Sequence, residues 1–159
     1  FSWQLSPAGT FWGMFTGEYR LFELSPAGDT LRTITRAFEP LPVTDADMEA
    51  ARARLAWFVR EGGQVDWSRI PGTKPATVDF VVDAAGYVWV TPVTADDEGP
   101  VLDVFDPVGR YLGRVALPGR LFGRPLVLED RMYAVVQNDL EVPFVVRWRI
   151  EKPTDVGGW

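Results

Sequence analysis

VDFVVDAAGYVWVTPVTADDEGPVLDVFDPVGRYLGRVAL, residues 78 to 117, reads as a complete four-stranded antiparallel sheet. Val78–Asp83 is a strand, Ala84-Ala85-Gly86 a turn, and Tyr87–Val93 the return strand. A polar loop, Thr94–Pro100, leads to Val101–Asp106, and Pro107-Val108-Gly109 turns the chain into Tyr111–Leu117. Val, Phe, Trp, Tyr and Leu fill the strands because branched and aromatic side chains pack well on a pleated surface, and Pro, Gly and Asp punctuate them.

The same pattern extends outward on both sides. Toward the N-terminus, Phe1–Leu5, Thr10–Thr16, Tyr19–Leu24 and Thr30–Arg36 form four more strands. The pentapeptide Leu-Ser-Pro-Ala-Gly occurs twice, at Leu5–Gly9 and Leu24–Gly28, each time where a hairpin must turn. Pro presets φ early in such a turn and Gly accepts positive φ. Asp-Pro-Val-Gly at Asp106–Gly109 is a variant of the device. Toward the C-terminus, Leu126–Glu129, Met132–Asn138 and Pro143–Ile150 give three strands, with Asn138–Glu141 as a polar turn. Strands such as Phe80-Val81-Val82 are apolar on both faces, so their sheet needs a neighbour on each side.

Between the first two sheets the period changes. Thr44 and Asp47 form a helix start of the capping-box kind. Met48, Ala51, Leu55, Phe58 and Val59 recur at helical spacing, and Gly62-Gly63 ends the run. The expectation is one inserted helix, 44–61, held on the sheets through Leu55, Phe58 and Val59, with Trp57 on the opposite side. The predicted architecture is all-β: one partial propeller domain of three stacked sheets (1–36, 78–117 and 125–150) plus this helix.

Val82-Asp83-Ala84-Ala85-Gly86-Tyr87-Val88-Trp89-Val90 resembles the strand–Asp–x–x–Gly–strand–Trp–Val run of NHL-like and TolB-like six-bladed β-propellers. Val104–Gly113 resembles their third-strand turn, and the helix followed by Ile70-Pro71 and Lys74-Pro75 resembles bacterial extracytoplasmic members. The resemblance covers nearly the whole chain and implies the C-terminal half of such a ring. It implies no single activity, since propellers of this kind bind proteins, peptides, glycans or small molecules and a few are enzymes.

Composition narrows the chemistry. The 159 residues contain no His and no Cys, which removes Ser-His-Asp and Cys-His catalysis, ordinary zinc sites and iron–sulfur ligation. No phosphate-cradling glycine motif occurs. A net charge of −6 disfavours a nucleic-acid partner. No apolar run reaches the roughly 20 residues of a membrane-spanning helix. No cofactor, catalytic residue or transition metal is expected.

Some candidates remain. Asp96, Asp97 and Glu98 could help hold Ca²⁺ or simply solvate their loop, and their spacing is not that of an EF-hand. Asp103 and Asp106 could pair. Arg110, Arg114, Arg120 and Arg124 could bind an anion or pair locally. The aromatics point more strongly to contact surfaces. Trp3, Phe11, Trp12, Phe15, Trp57, Tyr133, Phe144 and Trp148 are the interface candidates, with inter-sheet core as the competing reading for the first-sheet rings and packing under the Gly62–Pro75 loop for Trp57.

The expected function is a non-catalytic scaffold for protein–protein contact, an accessory subunit of a larger extracytoplasmic or membrane-associated assembly. A sugar- or peptide-binding module using Thr94–Pro100 and Pro118–Arg124 is the alternative, and a carboxylate- or calcium-dependent hydrolase or lyase ranks third. Three blades cannot close a ring. A protein partner, or the remainder of a longer chain, is therefore expected to cover the open faces, in preference to a two-fold dimer. A chain beginning at Phe1 is expected to be processed, incompletely observed or part of something longer.

Overall fold

Four of the hairpin turns are built alike. At Ser6, Ser25, Asp83 and Asp106 the backbone N–H donates to the carbonyl four residues on, and the glycine three residues on donates back. These glycines, Gly9, Gly28, Gly86 and Gly109, have φ of 81°, 94°, 84° and 88°, a region where a side chain is strained. The first residue's side chain then accepts the turn's spare N–H groups. Ser25 Oγ accepts from Ala27 and Asp29, Asp83 Oδ1 from Ala85 and Tyr87, and Asp106 Oδ1 from Val108 and Arg110. Asn138 does the same with the amides of Leu140 and Val142.

The computed structural model describes residues 1–95, 98–138, 140 and 142–151. Eleven strands among the described residues form three antiparallel sheets. The first contains β1 (Ser2–Leu5), β2 (Phe11–Phe15), β3 (Arg20–Leu24) and β4 (Thr30–Thr35), in that order. The second contains β5 (Thr77–Val82), β6 (Val88–Pro92), β7 (Val101–Phe105) and β8 (Tyr111–Ala116). The third has three strands among the described residues: β9 (Leu126–Leu128), β10 (Arg131–Gln137) and β11 (Pro143–Arg149). The fold is all-β with one inserted helix, and the stack is compatible with consecutive propeller blades.

The second sheet is the middle layer, and the strand period of two divides its side chains between two cores. Phe80, Val82, Val88, Val90 and Phe105 pack against Trp12, Met14, Tyr19, Leu21 and Ile34 of the first sheet. Trp89, Leu102 and Val104 point the other way, onto Val127 and Met132 of the third. The register agrees, since Val88 sits opposite Phe105 and Trp89 opposite Val104. This is why the middle strands carry apolar residues on both faces.

At one edge of the stack β1 and β5 lie side by side and run in the same direction. Ser2 Oγ donates to Asp79 at 2.5 Å, and the Gln4 amide brackets Val82, donating to its carbonyl and accepting from its N–H. The hairpin turns after β1 and β5 therefore lie at one end. The β2–β3 turn, the β6–β7 loop and the sheet-connecting segments lie at the other.

The helix is α1 (Asp45–Arg60), and its start is as the residues suggest. Thr44 Oγ1 accepts from the Asp47 N–H and Asp47 accepts from the Thr44 N–H. Its packing is not as expected. None of its residues is buried, and Phe58 and Val59 are exposed. The Phe58 ring instead folds back over Gly63, where a Cβ would come within 2.4 Å of it. The helix is tethered by polar contacts, Lys74 to Asp47 at 2.9 Å and Arg52 over the Trp67 ring. Periodicity found the helix but assigned its apolar stripe a sheet to rest on, which the connecting segment does not supply.

Leu55→Ala should change stability by less than about 1 kcal/mol, far below the cost of a core truncation. A thermal melt checks it, and a loss of core size would show a buried face. The helix cap also depends on pH. The Thr44 N–H, the Lys74 ammonium and the Thr44 hydroxyl hold the Asp47 carboxyl down at about 2. With its folded value depressed, the cap's contribution is present above the ordinary carboxylate range and is lost as pH falls through about 2. NMR titration of the Asp47 carboxyl should give that low midpoint, and Lys74→Ala should raise it.

Candidate functional site

A buried carboxylate joins the first two sheets at the loop end. Asp103, on β7, is 0% exposed. It faces the first sheet because it sits opposite Val90, a member of that core. Its Oδ2 accepts from the Tyr19 hydroxyl at 2.6 Å and from Arg36 at 3.0 Å. Its Oδ1 accepts from the Tyr111 hydroxyl at 2.9 Å and from Arg114 Nε at 3.3 Å. Tyr19 and Arg36 come from the first sheet, Asp103, Tyr111 and Arg114 from the second. The Arg36 guanidinium lies over the Tyr111 ring at 4.5 Å and also contacts the Tyr19 ring.

Tyr19 reaches this position with φ at +44°, the left-handed region that costs a non-glycine residue free energy. Burial, and then the Asp103 carboxylate, push its hydroxyl well above the usual tyrosine range. The same causes in the same order raise Tyr111. Both hydroxyls are thus held as neutral donors. Arg36 and Arg114 balance Asp103 and Glu98, which accepts from Arg114 at 3.2 Å. The network is a charge-balanced pin between sheets and presents no activated nucleophile.

Two cavities open beside this pin. One, of about 380 Å³, lies against Tyr19, Arg36, Phe38, Glu39, Glu98 and Arg114. The other, of about 370 Å³, lies across the Val93–Thr94 stretch, against Lys74, Pro100, Leu117 and Arg120. Asp96 and Asp97 of the calcium candidate lie outside the described residues, and Glu98 turns to Arg114.

The remaining polar candidates resolve into local and joint-forming pairs. Asp103 and Asp106 do not pair with each other. Asp106 caps its own turn and accepts from Arg110 Nε at 2.6 Å, while Asp103 faces the first sheet. Arg124 is a joint residue. From the segment ahead of β9 it donates to Asp79 at 2.6 Å, to Ser2 Oγ at 2.6 Å and to the Trp3 carbonyl at 3.0 Å, linking all three sheets. Burial opposes ionisation of Asp79, but the hydrogen bonds from Arg124, Ser2 and the Phe80 amide outweigh it and hold the carboxyl below its usual range.

The aromatic candidates divide by strand face. Trp12 is buried at 3% exposure and belongs to the core, because it sits opposite Gln4 and Glu23 on the side turned to the second sheet. Trp148 is likewise core-associated, opposite Met132 and packed in the joint between the second and third sheets. Phe144 shares that inner side, opposite Val136, but stays exposed. Tyr133 is half-buried on the outer face of the third sheet. Trp57 is exposed on the helix, with its ring edge-on to Phe58.

Trp3, Phe11 and Phe15 lie together on the outer face of the first sheet, with Phe1 and Phe22 among them. Trp3 is 61% exposed there. Phe1, Phe15 and Phe22 form a ring triad with centroids 5.4 to 6.0 Å apart. Gly13 makes the floor, since a Cβ there would meet the Phe22 ring at 2.4 Å. An open apolar groove of about 340 Å³ runs beside Phe1, Trp3, Phe11 and Phe22. Phe22 carries no signal of its own in the sequence, whereas a glycine inside Phe-Trp-Gly-Met-Phe is a signal of close approach. Tyr19 and Arg36 carried no local signal at all. No protein-family model matches the chain, and no curated protein matches it.

Proposed function

We propose that this protein is a non-catalytic scaffold that works by protein–protein contact, through the outer face of its first sheet. The observation that carries the reading is the ring-covered face itself. Phe1, Trp3, Phe11 and Phe15 are exposed together, although β2 buries Trp12 and Met14 on its other face. Contiguous apolar patches of more than a few hundred Å² are unusual on monomers and mark interaction sites. Aromatic anchors are also the residues that dominate interface energetics. The resemblance to NHL-like and TolB-like six-bladed propellers supports the reading, because an end blade of such a ring needs a neighbour on this face. An extracytoplasmic accessory subunit is the setting that resemblance suggests.

Site-specific photo-crosslinking tests the proposal. A photoreactive amino acid at position 3, in the protein produced in its source cells, should give protein–protein adducts. The same residue at position 108, exposed on a hairpin turn, should give none. Equal yields at both positions, or none at position 3, would overturn it. The two cavities flanking Val93–Thr94 favour a second reading, a ligand-binding module for sugar or peptide. A thermal shift induced by such a ligand and removed by Arg36→Ala would move the balance to that reading.

A further inference from the structure

The occupant of the aromatic face is open to a more specific argument, which rests on the scaffold reading above. The internal joints share one chemistry. Each sets a guanidinium from one sheet on an aromatic ring of the next: Arg36 of the first sheet on Tyr111 of the second, and Arg124, leading into the third, on Phe80 of the second. Around these contacts apolar side chains close the joint.

The two end faces of the stack carry the two halves of that same joint. The first sheet's outer face offers rings. The third sheet's outer face offers aliphatic side chains and arginines. Val145 pairs with Val135, Arg147 with Tyr133, and Arg149 with Arg131, so all six share that side, as do Leu126 and Leu128. Leu126, Leu128 and Val145 are exposed, Val145 at 73%. Arg149 reaches Asp130 only at 3.8 Å, and Asp130 is already held by Arg131. Arg147 has no ion pair among the described residues. The ring face has an acid at its margin, Glu18, which pairs with the half-buried Arg20, whose guanidinium lies over the Phe15 ring at 4.8 Å.

We infer that the partner for the aromatic face is a second copy of this chain, seated through the outer face of its third sheet. Arg147 and Arg149 of one copy would lie on the Trp3 and Phe11 rings of the other, since the Phe15 ring already carries its own chain's Arg20. Cation–π pairing over a ring gains strength when it is desolvated, as stacking two sheets would make it. The two faces lie at opposite ends of the stack, so one copy cannot join its own. The contact is heterologous, and two copies close it when each supplies both faces.

Sedimentation and light scattering over a concentration series test this. Wild type should reach twice the chain mass of 17.8 kDa. Trp3→Glu, Phe11→Ser and Arg147→Glu should each weaken association roughly thirtyfold or more, the scale of a lost interface anchor. All three positions are exposed, and circular dichroism will show whether each variant keeps its sheets. The decisive arm is a mixture. Trp3→Glu and Arg147→Glu should each be monomeric alone and form a heterodimer when mixed, because one intact face remains on each.

Variants that associate as wild type does, or fail to complement when mixed, would overturn the inference. A wild-type monomer at the highest attainable concentration would also overturn it. An apolar fluorescent dye then separates the two readings. Dye bound by wild type and lost in Trp3→Glu keeps the scaffold reading with a different partner. No dye binding removes both.

Discussion

Asp103→Ala is expected to lower the stability of this protein by about 3–5 kcal/mol, the cost of removing one partner from a buried charged network. Four donors would be left behind. The Tyr19 hydroxyl is buried and has Asp103 as its acceptor, and Arg36 and Arg114 would lose their shared counter-charge at the joint. Tyr19 also holds a left-handed backbone conformation that this contact helps to stabilise. In a chain of this length each kcal/mol shifts the melting temperature by roughly 2–4 °C, so a fall of about 10 °C is the expected reading. Two milder variants calibrate it. Tyr19→Phe removes one hydrogen bond, at a cost of about 1 kcal/mol. Asp103→Asn keeps the shape and loses the charge, and should fall between them. If Asp103→Ala costs no more than Tyr19→Phe, the network is not what holds the first two sheets together.

Asp83→Ala is expected to cost about 3 kcal/mol by a different route. Asp83 is buried and accepts three hydrogen bonds: from the Ala85 and Tyr87 amides and from the Trp89 indole at 3.1 Å. Alanine leaves that indole N–H unpaired in the joint between the second and third sheets. Tryptophan fluorescence during urea unfolding measures the loss. Asp106→Ala is the internal control, because Asp106 has the same turn geometry but its side-chain partner is the exposed Arg110. Its loss should be smaller, about 1 kcal/mol. Equal losses would mean that the indole bond adds nothing beyond the turn.

These two aspartates also mark how far the chain could be read before folding. The role of Asp83 is local: its partners lie within six residues, and the Asp–x–x–Gly spacing followed by Trp89 announces them. The role of Asp103 is not. Its partners include Tyr19, 84 positions away, and Arg36, 67 positions away. The helix shows the converse. Thr44 and Asp47 correctly begin it, because a cap is satisfied within one turn, yet Leu55, Phe58 and Val59 find no sheet to lie on.

Everything set within a turn or along a strand was therefore legible before folding: the hairpins, the three sheets, the inserted helix and the doubly apolar middle layer. Glycine conformation, proline geometry and the two-residue strand period act over a few positions, so they are written locally. Which side of each strand meets another sheet was left to the tertiary structure. Phe11 and Trp12 are adjacent and equally apolar, but a strand must turn them to opposite faces, and only stacking on the second sheet makes Trp12 core and leaves Phe11 exposed. The same stacking gathers Tyr19, Arg36, Asp103, Tyr111 and Arg114 into one network. Burial and long-range pairing are properties of packed surfaces, and no spacing along the chain encodes them.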